Sequence, residues 1–457
     1  MSVTTRGQRR AMTVGVFVVV VCMAFESVGV ATAMPEAAKE LNGLPLYAWV
    51  FSLFVVGMLT ATVVAGRVAD RVGPIAPAMV GLAVFAAGLL IGGTAPTMEL
   101  LLLARFVQGV GVGVANLSLT VLIALSYPEE ERPQVMTWIS TAWVLPALVG
   151  PPVAAWLTET FSWHWVFLVI LPMLAAATAT VIPQLRRLSK VLDGQHDGPS
   201  NSVPMWSGFA LAVGAVLLQL AGQRYGDGHR GLVEAAMAVA AVAVLLFTLP
   251  RMMPAGFLLL RRGLASVVWS RALAAGAFFG ADAFIPLMLV LTRGLSLQLA
   301  GLMITVGSIG WTVGSWLQAQ PWLRIPRHLL IVIGQGLVAV GCLGMAAAAW
   351  FSDGWLILVG LAWIPAGLGM GLAVSSTSLA TMSLSPTAEQ GRNSASLQVG
   401  EALGNSVIVG IAGSVFATLH LTQTPQLTFT VSMATMMLFA ALGALLATRI
   451  GRIRSVN

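Results

Sequence analysis

The 457-residue chain is 58% hydrophobic and only 9% charged, and its mean hydropathy is +0.89. A soluble domain carries roughly a quarter charged residues, so this composition excludes a water-soluble enzyme and requires lipid as the solvent. The net charge of +7 does not indicate nucleic-acid binding, because the basic residues are scattered between apolar runs instead of being clustered with aromatic residues.

Fourteen apolar runs, each long enough to cross a hydrocarbon core of roughly 30 Å as a helix, follow one another along the chain. The first run contains an acid, Glu26, and is too long for the apolar core of a cleaved signal peptide, so we predict that it is retained. The polar segment LRRLSKVLDGQHDGPSNS follows the sixth run and is predicted to be a linker. The predicted spans are 11–34, 46–66, 75–95, 98–125, 134–157, 163–183, 205–222, 231–250, 267–291, 297–319, 329–350, 354–382, 391–418 and 427–448.

The distribution of basic residues predicts the orientation of these spans. With a cytoplasmic N-terminus, 18 of the 24 Lys and Arg residues fall in inner segments and 4 in outer loops, while Arg105 and Arg271 lie inside or at the edge of spans. Because basic residues accumulate on the cytoplasmic side, we expect both termini to be cytoplasmic, in the inner membrane of the cell. Cys22 and Cys342 both fall inside apolar runs and are expected to be small core residues, not a disulfide.

The two blocks of six spans read as copies of one another, which is typical of secondary transporters. The fourth span of the first block, QGVGVGVANLSLT, carries Gly109, Gly111 and Gly113, and AGLGMGLAVSSTS repeats the spacing with Gly367, Gly369 and Gly371. Close helix packing alone would also explain these glycines. The predicted division is an N-terminal six-helix bundle (1–183), a linker with two inserted helices (184–262) and a C-terminal six-helix bundle (263–457).

The string between the second and third spans is Gly66-Arg67-Val68-Ala69-Asp70-Arg71-Val72-Gly73, an acid and two bases between glycines. This pattern resembles the signature loop of the major facilitator superfamily, although Pro74 and Ile75 stand where the family usually has further basic residues. The resemblance implies that Gly66, Asp70, Arg71 and Gly73 steady one conformation of a transport cycle. A solvated charged turn is the alternative. The matching turn of the second half keeps Gly314 but has Gln318 in place of the acid.

Two further motifs resemble those of the family's antiporters. Arg105 lies in the string Leu-Ala-Arg-Phe-Val-Gln-Gly, inside an apolar helix where its charge needs a partner. The string resembles the family's fourth-span R-x-x-Q-G motif, which is associated with proton transfer. A structural ion pair is the alternative. In the fifth span, Pro146, Gly150 and Pro151 resemble the antiporter motif, with alanines where its small-residue pair usually has glycines, and favour export over uptake.

Three acids remain within spans, namely Glu26, Asp282 and Glu401. Counted at roughly 1.5 Å per residue, all three lie near mid-membrane. A carboxyl group that gains and loses protons there could couple transport to a proton gradient. A static ion pair with Arg105 or Arg271, or a permanently neutral acid that donates a hydrogen bond, would also explain each of them. Glu26 lies in a first span that resembles the acid motif of the fourteen-span drug:proton antiporters, where Asp is usual.

The resemblance implies an all-α fold of two six-helix bundles plus two extra helices, and alternating access driven by inward proton flow with no bound cofactor. We expect a monomeric exporter of amphipathic small molecules, surrounded by membrane lipids and without partner nucleic acid. An exporter of an endogenous lipid or metabolite, and a non-transporting structural or signalling protein, are the alternatives. Metal-ligand clusters, nucleotide-binding loops and catalytic triads are not found, so enzymatic activity is not expected. The predicted substrate-cavity residues are Gln108, Asn116, Trp143, Phe278, Trp311, Trp363 and Gln398.

Overall fold

The computed structural model describes residues 6–127, 132–192, 205–226, 228–229, 231–320, 322–351, 356–386 and 389–453. Within these ranges the regular secondary structure is entirely helical. The helices are α1 (Arg6–Glu40), α2 (Tyr47–Val72), α3 (Ile75–Gly92), α4 (Met98–Ser126), α5 (Arg132–Thr160), α6 (Trp165–Leu168), α7 (Ile170–Leu192), α8 (Met205–Gly226), α9 (Leu232–Met252), α10 (Leu264–Arg293), α11 (Leu297–Leu317), α12 (Arg327–Trp350), α13 (Leu356–Leu384), α14 (Gln390–Leu419) and α15 (Pro425–Ala447). A single 3₁₀ turn, Leu44–Leu46, precedes α2.

The described residues contain fourteen helical segments that are long and apolar enough to cross a membrane, as predicted. Most predicted limits lie within a few residues of the observed ones, because charged or turn-forming residues flank each apolar run. The sixth span, Trp165–Pro183, combines α6 and the start of α7. The fold is therefore that of a polytopic, all-helical membrane protein.

Two predicted boundaries were wrong. The first span was expected to end before Pro35, but α1 continues through that proline to Glu40. A proline removes one backbone hydrogen bond and bends a helix without always ending it. The predicted linker was also expected to begin at Leu185, whereas α7 continues to Leu192. Residues 193–202, the remainder of that linker, lie outside the described residues.

The chain divides into two compact units. Unit 1 comprises Met1–Asn42 and Leu53–Phe209, and unit 2 comprises Gly43–Ser52 and Ala210–Asn457. In unit 1, α1 packs against α5 and α7, and α3 packs against α4. In unit 2, α10 packs against α14 and α15, and α12 packs against α13. In both units, the first helix of the half thus contacts the fifth and the sixth, and the third contacts the fourth.

The glycine triplets explain this repeated packing. A Cβ atom added at Gly109 or Gly113 would collide with the backbone of α2 at Phe54 or Met58, and one added at Gly111 would collide with α3 at Phe85. In the second half, Gly367 and Gly371 face the backbone of α11, and Gly369 faces α12 at Gly334. The middle glycine of each triplet therefore contacts the third helix of its half, and the outer two contact the second. The two glycine triplets predicted to be copies therefore make equivalent helix contacts in the two halves.

Candidate functional site

A buried ion pair joins α1 to α4 in unit 1. The Arg105 guanidinium contacts the Glu26 carboxylate, and the two side chains are 2% and 0% exposed. The second carboxylate oxygen of Glu26, Oε2, is buried and accepts no hydrogen bond from the described residues. Both groups were predicted as coupling residues, and the static-pair alternative for Glu26 named Arg105 as a partner. The structure brings these two together, so Glu26 can accept a proton only if it weakens its contact with Arg105.

Neutral and aromatic groups hold the guanidinium in place. Arg105 Nη1 donates a hydrogen bond of 2.7 Å to Gln108 Oε1, and Gln108 Nε2 donates one of 3.0 Å to the carbonyl oxygen of Gly88 on α3. The ring of Phe54 lies 4.4 Å from the guanidinium carbon of Arg105, a cation–π contact. Gln108 was predicted to line the substrate cavity, but its side chain is fully buried and bonded within the α3–α4 packing.

The antiporter-motif residues of α5 pack against α1. A Cβ atom at Gly150 would lie 3.6 Å from the Phe25 ring and 3.9 Å from Val28. Those are ordinary van der Waals separations, so packing in this conformation does not itself demand glycine at position 150. Pro146 and Pro151 are both buried within α5, which remains helical through them. The motif thus lies against α1 at Phe25 and Val28, the residues on either side of Glu26 in the chain.

A second ion pair lies in unit 2. Arg271 Nη2 on α10 donates a hydrogen bond of 2.7 Å to Glu401 Oε2 on α14. Arg271 Nη1 also donates to the Val374 carbonyl oxygen (2.6 Å) and to Thr377 Oγ1 (3.1 Å), both on α13. The Glu401 side chain is 25% exposed, whereas that of Arg271 is 10% exposed. This pair therefore retains some contact with solvent, unlike the pair between Glu26 and Arg105.

Asp282 differs from the other two acids because it makes no ion pair with any described residue. It lies on α10 and is partly exposed. The indole N–H of Trp363 on α13 interacts with its carboxyl group electrostatically but does not reach hydrogen-bonding geometry. Asp282 is thus a carboxyl group with an aromatic neighbour and no cation beside it.

Three of the predicted cavity residues form one aromatic cluster next to Asp282. Phe278, one turn before Asp282, stacks on Trp363 with ring centroids 5.0 Å apart, and it meets Trp311 edge-on at 5.4 Å. Phe279 joins the cluster through Phe278 and Trp311. Trp311 and Phe279 are partly exposed, while Trp363 is fully buried. The sequence prediction named Phe278, Trp311 and Trp363, and the structure shows that α10, α11 and α13 bring them together.

Comparison of the two halves explains why Asp282 has no cation. Arg105 lies four residues before the first glycine of its triplet, and Trp363 lies four residues before the first glycine of the second triplet. In each unit, an acid on the first helix of the half faces this position of the fourth helix. The position is occupied by a guanidinium in unit 1 and by an indole in unit 2. Consequently, one acid is neutralised and the other is not.

The signature loop is shorter than predicted. Helix α2 continues to Val72, so Asp70 and Arg71 lie in its last turn rather than in a loop, and the turn itself is Gly73 and Pro74. Gly73 has a φ of 78°, a conformation that favours glycine. Gly66 packs beside Leu117 of α4. The side chains of Asp70 and Arg71 lie outside the described residues.

The corresponding position of the second half uses an amide. Gln318, at the end of α11, accepts hydrogen bonds from Arg327, the first residue of α12, through its side-chain oxygen and its backbone carbonyl. The remaining predicted cavity residues, Asn116, Trp143 and Gln398, all have exposed side chains. They lie on α4, α5 and α14 and are not part of the aromatic cluster.

Several residues of these networks were not predicted. Phe54 supports Arg105, and Thr377 supports Arg271, although Thr377 lies in the small polar run after the second triplet. Tyr47 is fully buried in unit 2, lies within electrostatic reach of Asp282, and donates a hydrogen bond of 2.8 Å to the carbonyl oxygen of Ala283. The sequence offered little signal for Tyr47, because a tyrosine at the start of a span is usually an interfacial anchor.

Among the residues that the structure describes, His, Cys, Asp and Glu side chains do not form a group that could hold a metal ion. Cys22 and Cys342 are both free and buried. A third ion pair among the described residues joins Arg224 at the end of α8 to Glu234 at the start of α9, with side chains 44% and 8% exposed.

Curated proteins similar to this chain include multidrug transporters of bacteria. A probable multidrug-efflux transporter of Mycobacterium tuberculosis is 26% identical over 401 residues, which cover 84% of this chain and 83% of the relative. The multidrug transporter protein MdtP of Bacillus subtilis is 24% identical, with 90% of this chain and 76% of the relative covered. The multidrug efflux pump SdrM of Staphylococcus aureus is 22% identical, with 76% of each covered.

Solved structures of similar fold include a peptide transporter POT in complex with sulfate. It has a TM-score of 0.69 and 15% sequence identity, and 96% of this chain and 95% of that one are covered. A POT family transporter in complex with 5-aminolevulinic acid has a TM-score of 0.67 and 13% identity, with 96% of each chain covered. At these identities the likeness concerns the fold alone. The sequence profile of the Major Facilitator Superfamily matches residues 16–409, so the chain belongs to that superfamily of transporters and is not an enzyme.

Proposed function

We propose that this protein exports amphipathic small molecules from the cell in exchange for protons, and that Asp282 is the main site of proton exchange. The observation that carries the proposal is the partly exposed Asp282 carboxyl group, which has no ion-pair partner among the described residues. A carboxyl group beside apolar rings, with no cation to hold its charge, can take up and release a proton at lower cost than one fixed in an ion pair.

The aromatic cluster supports the choice of substrate class. Phe278, Phe279, Trp311 and Trp363 form an apolar cluster next to Asp282, and the rings of Phe279 and Trp311 are partly exposed. Such a surface suits molecules with an aromatic or aliphatic body and a polar or charged end. The names of the three bacterial relatives, which all refer to multidrug transport or efflux, agree with this class.

Glu26 and Arg105 have a second role in the proposal. Protonation of Glu26 would remove the counter-charge of Arg105 and leave the guanidinium with Gln108 and Phe54. The cost of that uncompensated charge would favour a conformation in which α1 and α4 are arranged differently. Glu26 is thus proposed as a conformational partner of the proton cycle, in an inner-membrane protein with both termini in the cytoplasm.

The experiment that tests the proposal is transport by purified protein in liposomes with an imposed pH gradient, screened with labelled amphipathic compounds. Asp282→Asn should abolish gradient-driven transport while substrate exchange without a gradient survives. The matched control is Glu99→Gln, which neutralises an exposed acid in the first turn of α4. Full gradient-driven transport by Asp282→Asn would refute its role. Transport of lipids or metabolites in preference to drugs would favour the alternative substrate class.

A further inference from the structure

One end of unit 2 carries four exposed arginines that no acid neutralises. Arg261 and Arg262 lie in the segment that joins α9 to α10, and Arg449 and Arg452 follow α15. We call these four residues the arginine face. None of the four side chains makes a hydrogen bond or an ion pair with the part of the chain that the structure describes, whereas Arg105, Arg271 and Arg327 all do.

Backbone contacts bring the two pairs of arginines together. The amide nitrogen of Gly263 donates a hydrogen bond of 3.2 Å to the carbonyl oxygen of Arg449, so the start of α10 lies beside the end of α15. Beyond α15, Ile450 and Ile453 are buried while Arg449 and Arg452 are exposed. The buried isoleucines fix this end of the chain on the protein, with its cations directed outward.

The segment between α9 and α10 is a folded platform rather than a loose connection. Phe257 is buried and stacks on Trp269 of α10, with ring centroids 4.6 Å apart and an interplanar angle of 4°. Trp269 Nε1 donates a hydrogen bond of 2.9 Å to the Phe257 carbonyl oxygen, and Ser266 Oγ donates one of 2.9 Å to that of Arg261. Arg261 and Arg262 are therefore presented from fixed backbone.

The charge of this region is uncompensated in the sequence as well. Acidic residues are absent from 235–281 and from 402–457, the stretches that contain all four arginines. Beside the arginines, Leu258 and Leu259 are 38% and 70% exposed. The surface thus combines guanidinium groups, which bind phosphate oxygens in a bidentate manner, with exposed apolar side chains.

We propose that the arginine face binds an anionic phospholipid, with its phosphate on the guanidinium groups and its acyl chain against Leu258 and Leu259. The segment that carries Arg261 and Arg262 lies between two candidate membrane spans, Leu232–Met252 and Leu264–Arg293, so we expect it at the depth of the headgroups. Basic clusters at that depth attract anionic lipids. A second protein would not require apolar side chains at the start of a membrane span, so lipid is the occupant that fits both features.

The test is native mass spectrometry of the purified protein with phosphatidylglycerol or phosphatidylcholine. Wild type should bind phosphatidylglycerol more tightly, and the affinity should fall about fivefold for each guanidinium removed, on the scale of charge attraction at a membrane surface. The quadruple variant Arg261→Gln, Arg262→Gln, Arg449→Gln, Arg452→Gln should show no preference between the lipids. Arg324→Gln and Lys39→Gln, which neutralise exposed cations elsewhere, are the matched controls and should keep the wild-type preference.

Three results would overturn the proposal: equal binding of both lipids by wild type, an unchanged preference in the quadruple variant, or the same loss in the controls. If the quadruple variant does not fold, the double variant Arg261→Gln, Arg262→Gln and the salt dependence of wild type replace it. High salt should remove the preference for phosphatidylglycerol, and a preference that survives high salt would refute the role of the charges. A change in oligomeric mass instead of lipid occupancy would assign the face to a second copy of the chain.

Discussion

Neutralising Glu26 and neutralising Asp282 should affect stability very differently, because Glu26 has an ion-pair partner and Asp282 has none among the described residues. In Glu26→Gln, the Arg105 charge remains 2% exposed and loses its counter-charge. Its contacts with the neutral amide of Gln108 and with the ring of Phe54 carry no negative charge to replace that of Glu26. Asp282→Asn removes a charge that no described cation balances.

The expected magnitudes follow from these contacts. Removing one partner of a buried ion pair costs about 3–5 kcal/mol, so Glu26→Gln should lower the free energy of unfolding by that amount. Asp282→Asn preserves side-chain volume and should change it by about 1 kcal/mol at most, the scale of a single neutral hydrogen bond. The difference between the two variants should therefore exceed about 2 kcal/mol.

Equilibrium unfolding in mixed micelles would measure both values. The control is the double variant Glu26→Gln, Arg105→Gln, which removes the uncompensated cation and should recover at least half of the stability lost in Glu26→Gln. Equal losses in the two single variants, or no recovery in the double variant, would refute the interpretation of Glu26 and Arg105 as a stabilising pair. Gradient-driven transport measured on the same proteins would separate loss of coupling from loss of fold.

Three further predictions concern packing, topology and conformation. Gly109→Ala should lower the free energy of unfolding by about 1–3 kcal/mol or more, because the new methyl group meets the backbone of α2. Gly336→Ala, with open space around the new methyl group, should be neutral or stabilising by up to about 1 kcal/mol. Thermal unfolding of both variants would check this prediction, and equal effects would contradict it. Cysteine at Leu232, which is 90% exposed, should react with an impermeant label from outside intact cells, and cysteine at Leu259 only after permeabilisation. The reverse labelling pattern would invert the predicted orientation. Asp70→Asn should shift crosslinking populations towards the inward-open state, with a coupling free energy of about 1–3 kcal/mol, and unchanged populations would count against the role implied for the signature loop.

The spans were predictable because each depends on a local property, a run of apolar side chains bounded by charges or turns. The exceptions are two helix ends at which the local sequence signal and the observed end of the helix disagree. Pro35 normally favours a helix end, but α1 continues through it to Glu40. The polar segment after the sixth span contains residues compatible with a helix, and α7 extends through its first part to Leu192. The periodicity of the sequence could not decide either case.

The candidate site was predictable as a set of residues but not as a set of contacts. An acid inside a span must be paired, neutral or hydrated, and the sequence offered both Arg105 and Arg271 as partners. Only the packing of α1 against α4 and of α10 against α14 assigns Glu26 to the first and Glu401 to the second. Asp282 differs from Glu26 because it faces Trp363 on α13 instead of an arginine. This contact joins two helices that are distant in the sequence, so no single stretch of sequence predicts it.

The ion pair of unit 2 also bears on how the chain is synthesised. Arg271 and Glu401 are 130 residues apart, and at about 5–20 residues per second the ribosome needs roughly 6 to 26 seconds between them. During that interval α10 is already available for insertion, and its guanidinium must rely on water, lipid phosphate or the carbonyls of α13 as they emerge. Helix α10 is therefore made well before its counter-ion, and the free energy of pairing is gained only when α14 joins the bundle.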